Sequence, residues 1–591
     1  MLLHILILLL VAVAVTRSMW EAPALVAGHS ASLDLARLVE FDAAVRAGDL
    51  FPTWSPDLYT GYGSPIFQFY APLTYYFAEV PVLIGFDYAA ALKLTQLLAL
   101  FASGLAMYRL ASTYFPDWVA CLSGIFYMVA PYRLVDMFVR HALAEHCAFI
   151  WLPLIVWGTE RVVSKSSRIG LFSGAIATAA LILTHNSLAL IGLPVCIAVG
   201  WALASPKRGI LSPKAFGAAG AVAALGVGLA AFFWWPAMRG RALTQAEPSL
   251  TGGYFDFHRH FVKVWQFLDF HWSFGISGGG VGNQMPLQIG LPHLLAGLGA
   301  LAMVLGQWQG EGDAGKRRAI WSIVGVSVMG FGAFMSCRLS HLIWESLPLV
   351  KYVQFPWRFL GLVVFGAAIC ATALIDRFAA AGARSTIIAS LVGIVIIMAT
   401  YFPYYSQARF LVADGRTLSL AEVSAVEVAA MRSAGILQPF GLSAPTAADL
   451  RQMNERATSS DDFLPRDVKE KPTQPPIRIV QAEGGRVVDS ARLRQNHYRS
   501  RVQMSAPSKV TLLQFWFPGW QATVDGLSAR TAPAGPKAIV SCDVPVGDHM
   551  VEFSYRGLPQ RRTGIILSIL SAALGGYTLF TGFVQRRRHV E

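Results

Sequence analysis

A carboxylate, a guanidinium and further acids recur at helical spacing early in the chain: Asp34, Arg37 and, one turn on, Glu40 or Asp42. Residues three to four apart share a helix face, so Asp34 and Arg37 stand side by side. An aspartate at a water–lipid boundary can act as general base toward an acceptor hydroxyl; the same spacing also makes an ion pair on an amphipathic loop helix. In VRHALAEH, Glu145 lies within one turn of His141. There Glu145 can hold a divalent metal and Arg140 a phosphate, or the group can serve as an interfacial anchor with a helix-stabilising pair. His185 and Asn186, in THN, close an apolar run and fit capping or ligand contact. The run DFHRH supplies Asp256, His258 and His260, with His271 beyond, all metal-ligating types at a spacing that matches no zinc signature. Lys351 and Arg358 flank QFPW, where two cations can clamp a lipid phosphate or anchor to headgroups.

These residues sit between apolar runs. The 591 residues are 54% hydrophobic and 14% charged, with a mean hydropathy of +0.49. A soluble domain carries roughly 25% charged residues, so the profile is that of a polytopic membrane protein. Runs able to span occur at roughly 2–16, 89–111, 117–131, 147–160, 169–184, 187–204, 215–234, 287–306, 319–336, 359–376, 385–402 and 563–584. The first is expected to stay as an uncleaved span, because MLLH carries no basic flank.

The net charge of +13 resides in short clusters: Arg161/Lys165/Arg168, Lys207/Arg208/Lys214, Lys316/Arg317/Arg318, Arg377/Arg384 and Arg586/Arg587/Arg588. No basic face interleaved with aromatics is present, so nucleic acid is not an expected partner. With about twelve spans and an inside N-terminus, all five clusters fall on the cytoplasmic side. The condition is that 71–86, carrying Glu79 and Pro81, is re-entrant or interfacial and does not cross. The polar motifs then all lie on the outer face of the membrane, where no nucleotide is available; no Walker or Rossmann pattern is found, and no nucleotide cofactor is expected. The six cysteines form no CxxC pair, which argues for packing and against a disulfide framework.

The predicted architecture is mainly α: a transmembrane domain at 1–402 with its first outer loop at 17–88, an extracytoplasmic domain at 403–562, and a final span with a basic tail at 563–591. Residues 415–475 read as helical and loop segments, and KPTQPP as a linker. From about 477 short alternating runs such as VTLLQFWFPGW, separated by DG, GD and PAGP turns, predict a small β-sandwich.

Taken together, HSASLDLARLVEF, GDLFPTWSPDLYTGYGSPIFQFYAPLTYY, VRHALAE, THN, GYFDFHRHF, QFPWRFLG and FPGWQATVDG resemble a bacterial family of membrane proteins labelled pyruvoyl-tetrahydropterin-synthase-related. That family in turn resembles the GT-C superfamily of membrane glycosyltransferases. The resemblance implies a polyprenyl-phosphate-linked sugar donor, a lipid or glycan acceptor, and a catalytic acid in the first outer loop. Asp34 and Glu145 would be the catalytic residues, with Asp34 as the base. Arg37, Arg140, His141, His185, Asn186, Lys351 and Arg358 would bind substrate, and a divalent metal would be held by Glu145, His258 and His260. The family pattern places an Asp after the first-loop His and a His where this chain has Asp34. Here those positions are Ser30 and Asp34, so the acid role either passes to Asp34 or is altered or lost. A non-catalytic scaffold and a flippase of lipid-linked saccharides are the alternatives.

Overall fold

The computed structural model describes residues 1–591 apart from 22–23, 205–211, 279–283, 307, 309, 380–392, 394, 396, 407, 410–462, 473–475, 477 and 588–591. The helical and loop segments expected over 415–475, much of the span expected at 385–402 and part of the KPTQPP linker lie outside the described residues.

Apolar helices dominate. The chain opens with α1 (Leu2–Thr16), followed by α2 (Ala31–Arg46) and α3 (Leu73–Leu83) in the first long loop, then α4 (Tyr88–Ala111). Next come α5 (Asp117–Met128), α6 (Pro131–Phe138), α7 (Leu143–Ala148), α8 (Trp151–Lys165), α9 (Arg168–Thr184), α10 (Asn186–Ala204), α11 (Pro213–Leu229) and α12 (Ala231–Gly240). The bundle continues with α13 (Leu291–Leu305), α14 (Gly312–Ser336), the short α15 (His341–Ser346) and α16 (Leu360–Ala379), and α17 (Arg561–Arg587) closes the chain. Among the described residues, 6 helices are long and apolar enough to cross a membrane, or 8 if two bent pairs each count as one. The molecule is a multi-pass membrane protein.

The bends have local causes. α5 passes into α6 with a 48° turn at Pro131, and α11 into α12 with a 71° turn. Proline removes the amide that would bond back into the preceding turn. α1 leaves Leu2, Leu3, Leu6 and Leu10 exposed and buries Leu8, Val11, Ala12 and Val15. Without water between helices, association rests on close packing, and small residues provide it. A Cβ on Gly158 of α8 would lie 2.5 Å from Gly174 Cα of α9, and one on Gly325 of α14 would lie 3.0 Å from Gly366 O of α16.

The helix α3 has 11 residues and contains Pro81. At 1.5 Å per residue it is about 16 Å long, roughly half the hydrocarbon thickness, so it cannot cross alone. It packs on α2 and α4.

The C-terminal part holds nine strands: β1 (Val480–Ala482), β2 (Gly485–Arg494), β3 (His497–Met504), β4 (Ser508–Phe515), β5 (Trp520–Val524), β6 (Leu527–Ala529), β7 (Ala532–Ala534), β8 (Ile539–Val544) and β9 (Gly547–Tyr555). They form a sandwich of two antiparallel sheets, ordered β1-β4-β8-β7 and β2-β3-β9-β5-β6. β3 (His497–Met504) shows the alternation of a half-buried strand, turning Tyr498, Ser500, Val502 and Met504 inward. The sandwich is bound to the first loop. Trp54 Nε1 donates to Gln514 Oε1 at 2.8 Å, Gln514 Nε2 donates to Gly61 O at 2.7 Å, and Trp54 meets the Trp520 ring edge-on at 5.2 Å. Gly63 adopts φ +81°, and a Cβ there would lie 2.3 Å from Gln514 Oε1. The aromatic belt of the first loop is therefore largely core of this junction.

Candidate active site

The first loop is delivered to the bundle by a short run of backbone pairing. His29 N donates to Val139 O at 3.1 Å and Ser30 N to Arg140 O at 2.9 Å. A Cβ on Gly28 would sit 2.6 Å from His141 Cβ, so the approach needs glycine there. His141 itself has φ 50°, a left-handed turn that breaks the helical course between α6 and α7. The result is that α2 starts directly against the turn carrying Arg140 and His141.

Those two neighbours serve two different acids. His141 Nδ1 lies 3.1 Å from Asp34 Oδ2, and Gln96 of α4 lies 3.0 Å from His141 Nε2. With the Gln96 amide nitrogen donating to Nε2, the ring proton sits on Nδ1 and is donated to Asp34. Tyr75 OH of α3 donates to Asp34 Oδ1 at 3.0 Å, and Arg37 Nη1 stands 3.9 Å from the same oxygen. Asp34 is 2% exposed. Burial pulls the Arg37 guanidinium's pKa down, but Tyr75, Tyr70 and Asp34 raise it more, so it stays charged.

Arg140 turns to Glu145. Its Nη2 is 2.9 Å from Glu145 Oε2, and its Nη1 pairs with Asp136 of α6. Tyr132 OH donates to Glu145 Oε1 at 2.5 Å. Arg358 Nε and His185 Nε2 approach Glu145 Oε2 at 3.7 and 4.0 Å. Burial lowers the Arg140 pKa, Glu145 and Asp136 raise it, and the net lies above the ordinary value. The Arg140 guanidinium also covers the Trp357 ring at 4.4 Å. His29 borders this group; burial first, then Arg140, hold its pKa down to about 4, so it is neutral. Two buried nitrogens here, His29 Nε2 and Arg358 Nε, have no hydrogen-bond partner among the described residues.

The structure thus brings Asp34, Arg37, Arg140, His141, Glu145, His185 and Arg358 into one cluster. Asn186 borders it in a tying role, its Nδ2 donating to Phe69 O at 2.9 Å. Lys351 does not join Arg358; it pairs with Glu247 at 2.9 Å near the surface. The metal set expected from Glu145, His258 and His260 is not assembled. His260 is occupied by Ser277 Oγ at 2.6 Å and by Tyr254 O. Glu145 already faces two guanidiniums, and further positive charge beside Arg140 and Arg358 would be repelled.

Sequence reasoning missed Tyr75, Gln96, Tyr132 and Asp136. Asp136 had a signal, its four-residue spacing to Arg140. Gln96, one polar residue in an apolar span, had none that names a partner.

No family model matches the chain. A curated protein of Lactococcus lactis subsp. cremoris (strain MG1363), described as uncharacterized, is 23% identical over 216 residues; the match covers 36% of this chain and 35% of that protein, about a third of its length. Among solved structures, the arabinofuranosyltransferase AftD from mycobacteria is 15% identical with a TM-score of 0.43, over 68% of this chain and 28% of that one. The oligosaccharyltransferase of Archaeoglobus fulgidus in its apo form gives 13% and 0.39, over 69% and 56%. ArnT from Cupriavidus metallidurans, bound to undecaprenyl phosphate, gives 14% and 0.27, over 72% and 87%. At this distance the chemistry of the site rests on its own residues.

Proposed function

We propose that the chain is a GT-C-type glycosyltransferase that moves a sugar from a polyprenyl-phosphate donor to a lipid or glycan acceptor at the outer face of a bacterial cytoplasmic membrane. The observation that carries the reading is the pairing of a proton-accepting carboxylate, Asp34, with two adjoining guanidiniums, Arg140 and Arg358, through the consecutive residues Arg140 and His141. Asp34 takes the acceptor hydroxyl's proton, and the oxygen attacks the anomeric carbon with inversion. The bond from that carbon to the phosphate oxygen breaks, and the polyprenyl phosphate leaves with its charge met by the guanidiniums. His141, fixed by Gln96, holds the carboxylate in position.

The orientation follows from charge. Arg161, Lys165, Arg168, Arg317, Arg318 and Arg377 sit at helix ends opposite those that carry His185, Arg358 and Glu145. Positive clusters favour the inside, which supports an outer position for the site and the sandwich. An apolar groove lined by Phe67, Leu73, Leu183, Phe232, Phe233 and Arg561 offers a course for an isoprenoid tail, and Phe67 packs on Tyr75 at 5.5 Å. The resemblance to the pyruvoyl-tetrahydropterin-synthase-related family agrees with this reading and rests on sequence motifs.

A second reading, a non-catalytic scaffold, draws on Asp34 having both oxygens engaged by Tyr75 and His141. The test is transfer by the purified full chain from a panel of polyprenyl-phosphate pentoses and hexoses, with cysteine labelling near Lys165 and Asp57. Transfer, with Lys165 labelled from inside and Asp57 from outside, supports the proposal. Absence of both transfer and polyprenyl-phosphate binding, or labelling of the two positions from one side, overturns it.

A further inference from the structure

Away from the buried cluster, a 3-10 turn at Phe257–Arg259 faces the short helix α15. Asp256 caps the turn: its carboxylate accepts from His258 N at 3.1 Å and meets His258 Nδ1 at 2.5 Å. This fixes the imidazole with Nε2 directed outward. On α15, His341 and Glu345 are four residues apart and share a face. His258 Nε2 lies 2.7 Å and His341 Nε2 3.4 Å from Glu345 Oε1. The donor atoms of His258, His341 and Glu345 all fall within 4.8 Å of one another, the one such group of three or more among the described residues.

We infer that His258, His341 and Glu345 form a binding site for a zinc-class divalent cation, which staples the 253–261 loop to α15. Two imidazoles and a carboxylate suit borderline ions such as zinc or cobalt and leave a position for water. Donors on a tetrahedral zinc lie roughly 3.3–3.4 Å apart for metal–ligand distances of about 2.0–2.1 Å; the His341–Glu345 distance of 3.4 Å already matches, His258 and Glu345 at 2.7 Å need to part slightly, and the two imidazoles lie within 4.8 Å of each other. Asp256 supplies the outer partner that metal-bound histidines regularly use to fix ring and tautomer. The two segments are already held together by other contacts. Phe257 stacks on Trp344 at 5.1 Å, and Phe261 meets the same indole edge-on at 5.9 Å. The site is therefore built before an ion arrives.

The site is separate from the transfer reaction and stands without it. It bears on the loop that backs the buried cluster, since Tyr254 and His260 pack on Phe355, and Phe355 stacks on Trp357 beneath Arg140. A metal there would hold that wall in place.

The experiment uses the full chain, purified without a polyhistidine tag and stripped with a chelator. Zinc uptake is measured by equilibrium dialysis with elemental analysis, and cobalt by its visible absorption. The expected result is one zinc per chain and a tetrahedral cobalt spectrum, with hydrogen exchange slowed over 253–261. His258→Ala, His341→Ala and Glu345→Gln should abolish the uptake, and Asp256→Asn should weaken it about 10–100-fold. His271→Ala should leave it unchanged. Glu345→Gln is nearly isosteric, so its chelated melting temperature, matched to wild type, separates lost binding from lost folding. Wild type that takes up no zinc, or a folded Glu345→Gln that takes up as much as wild type, overturns the assignment.

Discussion

Asp34 and Glu145 are both buried acids at the same end of the bundle, yet their surroundings differ in kind. Asp34 is met by a phenol and an imidazole, groups that share protons with it, while its nearest guanidinium stands at 3.9 Å. Glu145 is met by Arg140 at 2.9 Å and by Arg358 and His185 further out. A carboxylate among proton donors and acceptors can accept a proton and pass it on. One fixed by guanidiniums stays ionised and acts as scaffolding for the cations around it. Under the proposed function, that difference gives proton transfer to Asp34 and gives Glu145 the positioning of Arg140 and Arg358.

Breaking the Glu145 side should cost most in stability. Glu145→Gln keeps the shape but leaves Arg140 and Arg358 without their shared counter-charge, and unpairing a buried ion of this kind costs roughly 3–5 kcal/mol. Thermal unfolding in detergent should show the loss, and polyprenyl-phosphate affinity should fall with it. On the Asp34 side, Tyr75→Phe removes one hydrogen bond to a charged acceptor, an effect of about 1.5–3 kcal/mol. It should slow transfer while leaving donor binding near wild type, which a single-turnover assay with a separate binding measurement can read. Equal losses from Glu145→Gln and Tyr75→Phe in both readouts would erase the contrast.

Gly28→Ala addresses the joint between the two halves. Its Cβ would press on His141 Cβ at 2.6 Å and His141 N at 2.9 Å, so the 28–30 run must shift. Overpacking of this kind costs about 1–3 kcal/mol, and the shift should lower transfer through misplacement of Asp34. Asp34→Asn should not reproduce that loss of stability.

How much of this could be read from sequence depends on the reach of each interaction. Asp34 and Arg37 are a local pair, and spacing exposed it; spacing also set Glu145 one turn from His141, but the left-handed turn at His141 gives that imidazole to Asp34 and leaves Glu145 to Arg140. Hydropathy gave the apolar helices, about twelve runs against 6 to 8 helices long enough to cross among the described residues, and Pro81 with Glu79 marked α3 as too short and broken to cross. The joining of Asp34 to His141 spans 107 residues and depends on Gly28, which no local period reveals. Lys351 shows the converse: two cations flanking QFPW look like a clamp, but the 3-10 turns at Val350–Val353 and Pro356–Phe359 send them different ways. His258 was legible as a ligand type, while its partners sit in HLIWE, where a His and a Glu four apart were the available signal. The sandwich was legible from strand alternation and turn residues; its attachment to Trp54 and Gly63 was not.

The smallest expected effect concerns the support beneath α2. Asp42 of α2 bonds Arg46 at 2.6 Å and Tyr88 at 2.7 Å, and Glu79 of α3 sits beside it. Burial first, then the Asp42 charge, push the Glu79 pKa up from 4.5 to about 8, so the folded protein holds a proton there at neutral pH. A raised carboxyl pKa contributes stability that is whole below about pH 4.5 and is lost progressively as pH rises through about 8. Unfolding of wild type should therefore become easier between pH 5 and about 8.5, and Glu79→Gln should flatten that slope. An unchanged slope in Glu79→Gln would assign the pH dependence elsewhere.

The central claim is that Asp34 is the base. Purified Asp34→Asn keeps size and hydrogen bonding to Tyr75, so it should fold and bind polyprenyl phosphate as wild type does. Its single-turnover transfer rate from a polyprenyl-phosphate sugar should fall by roughly 100-fold or more. A folded Asp34→Asn that transfers at the wild-type rate would contradict the account and make the Asp34–His141 pair a purely structural joint.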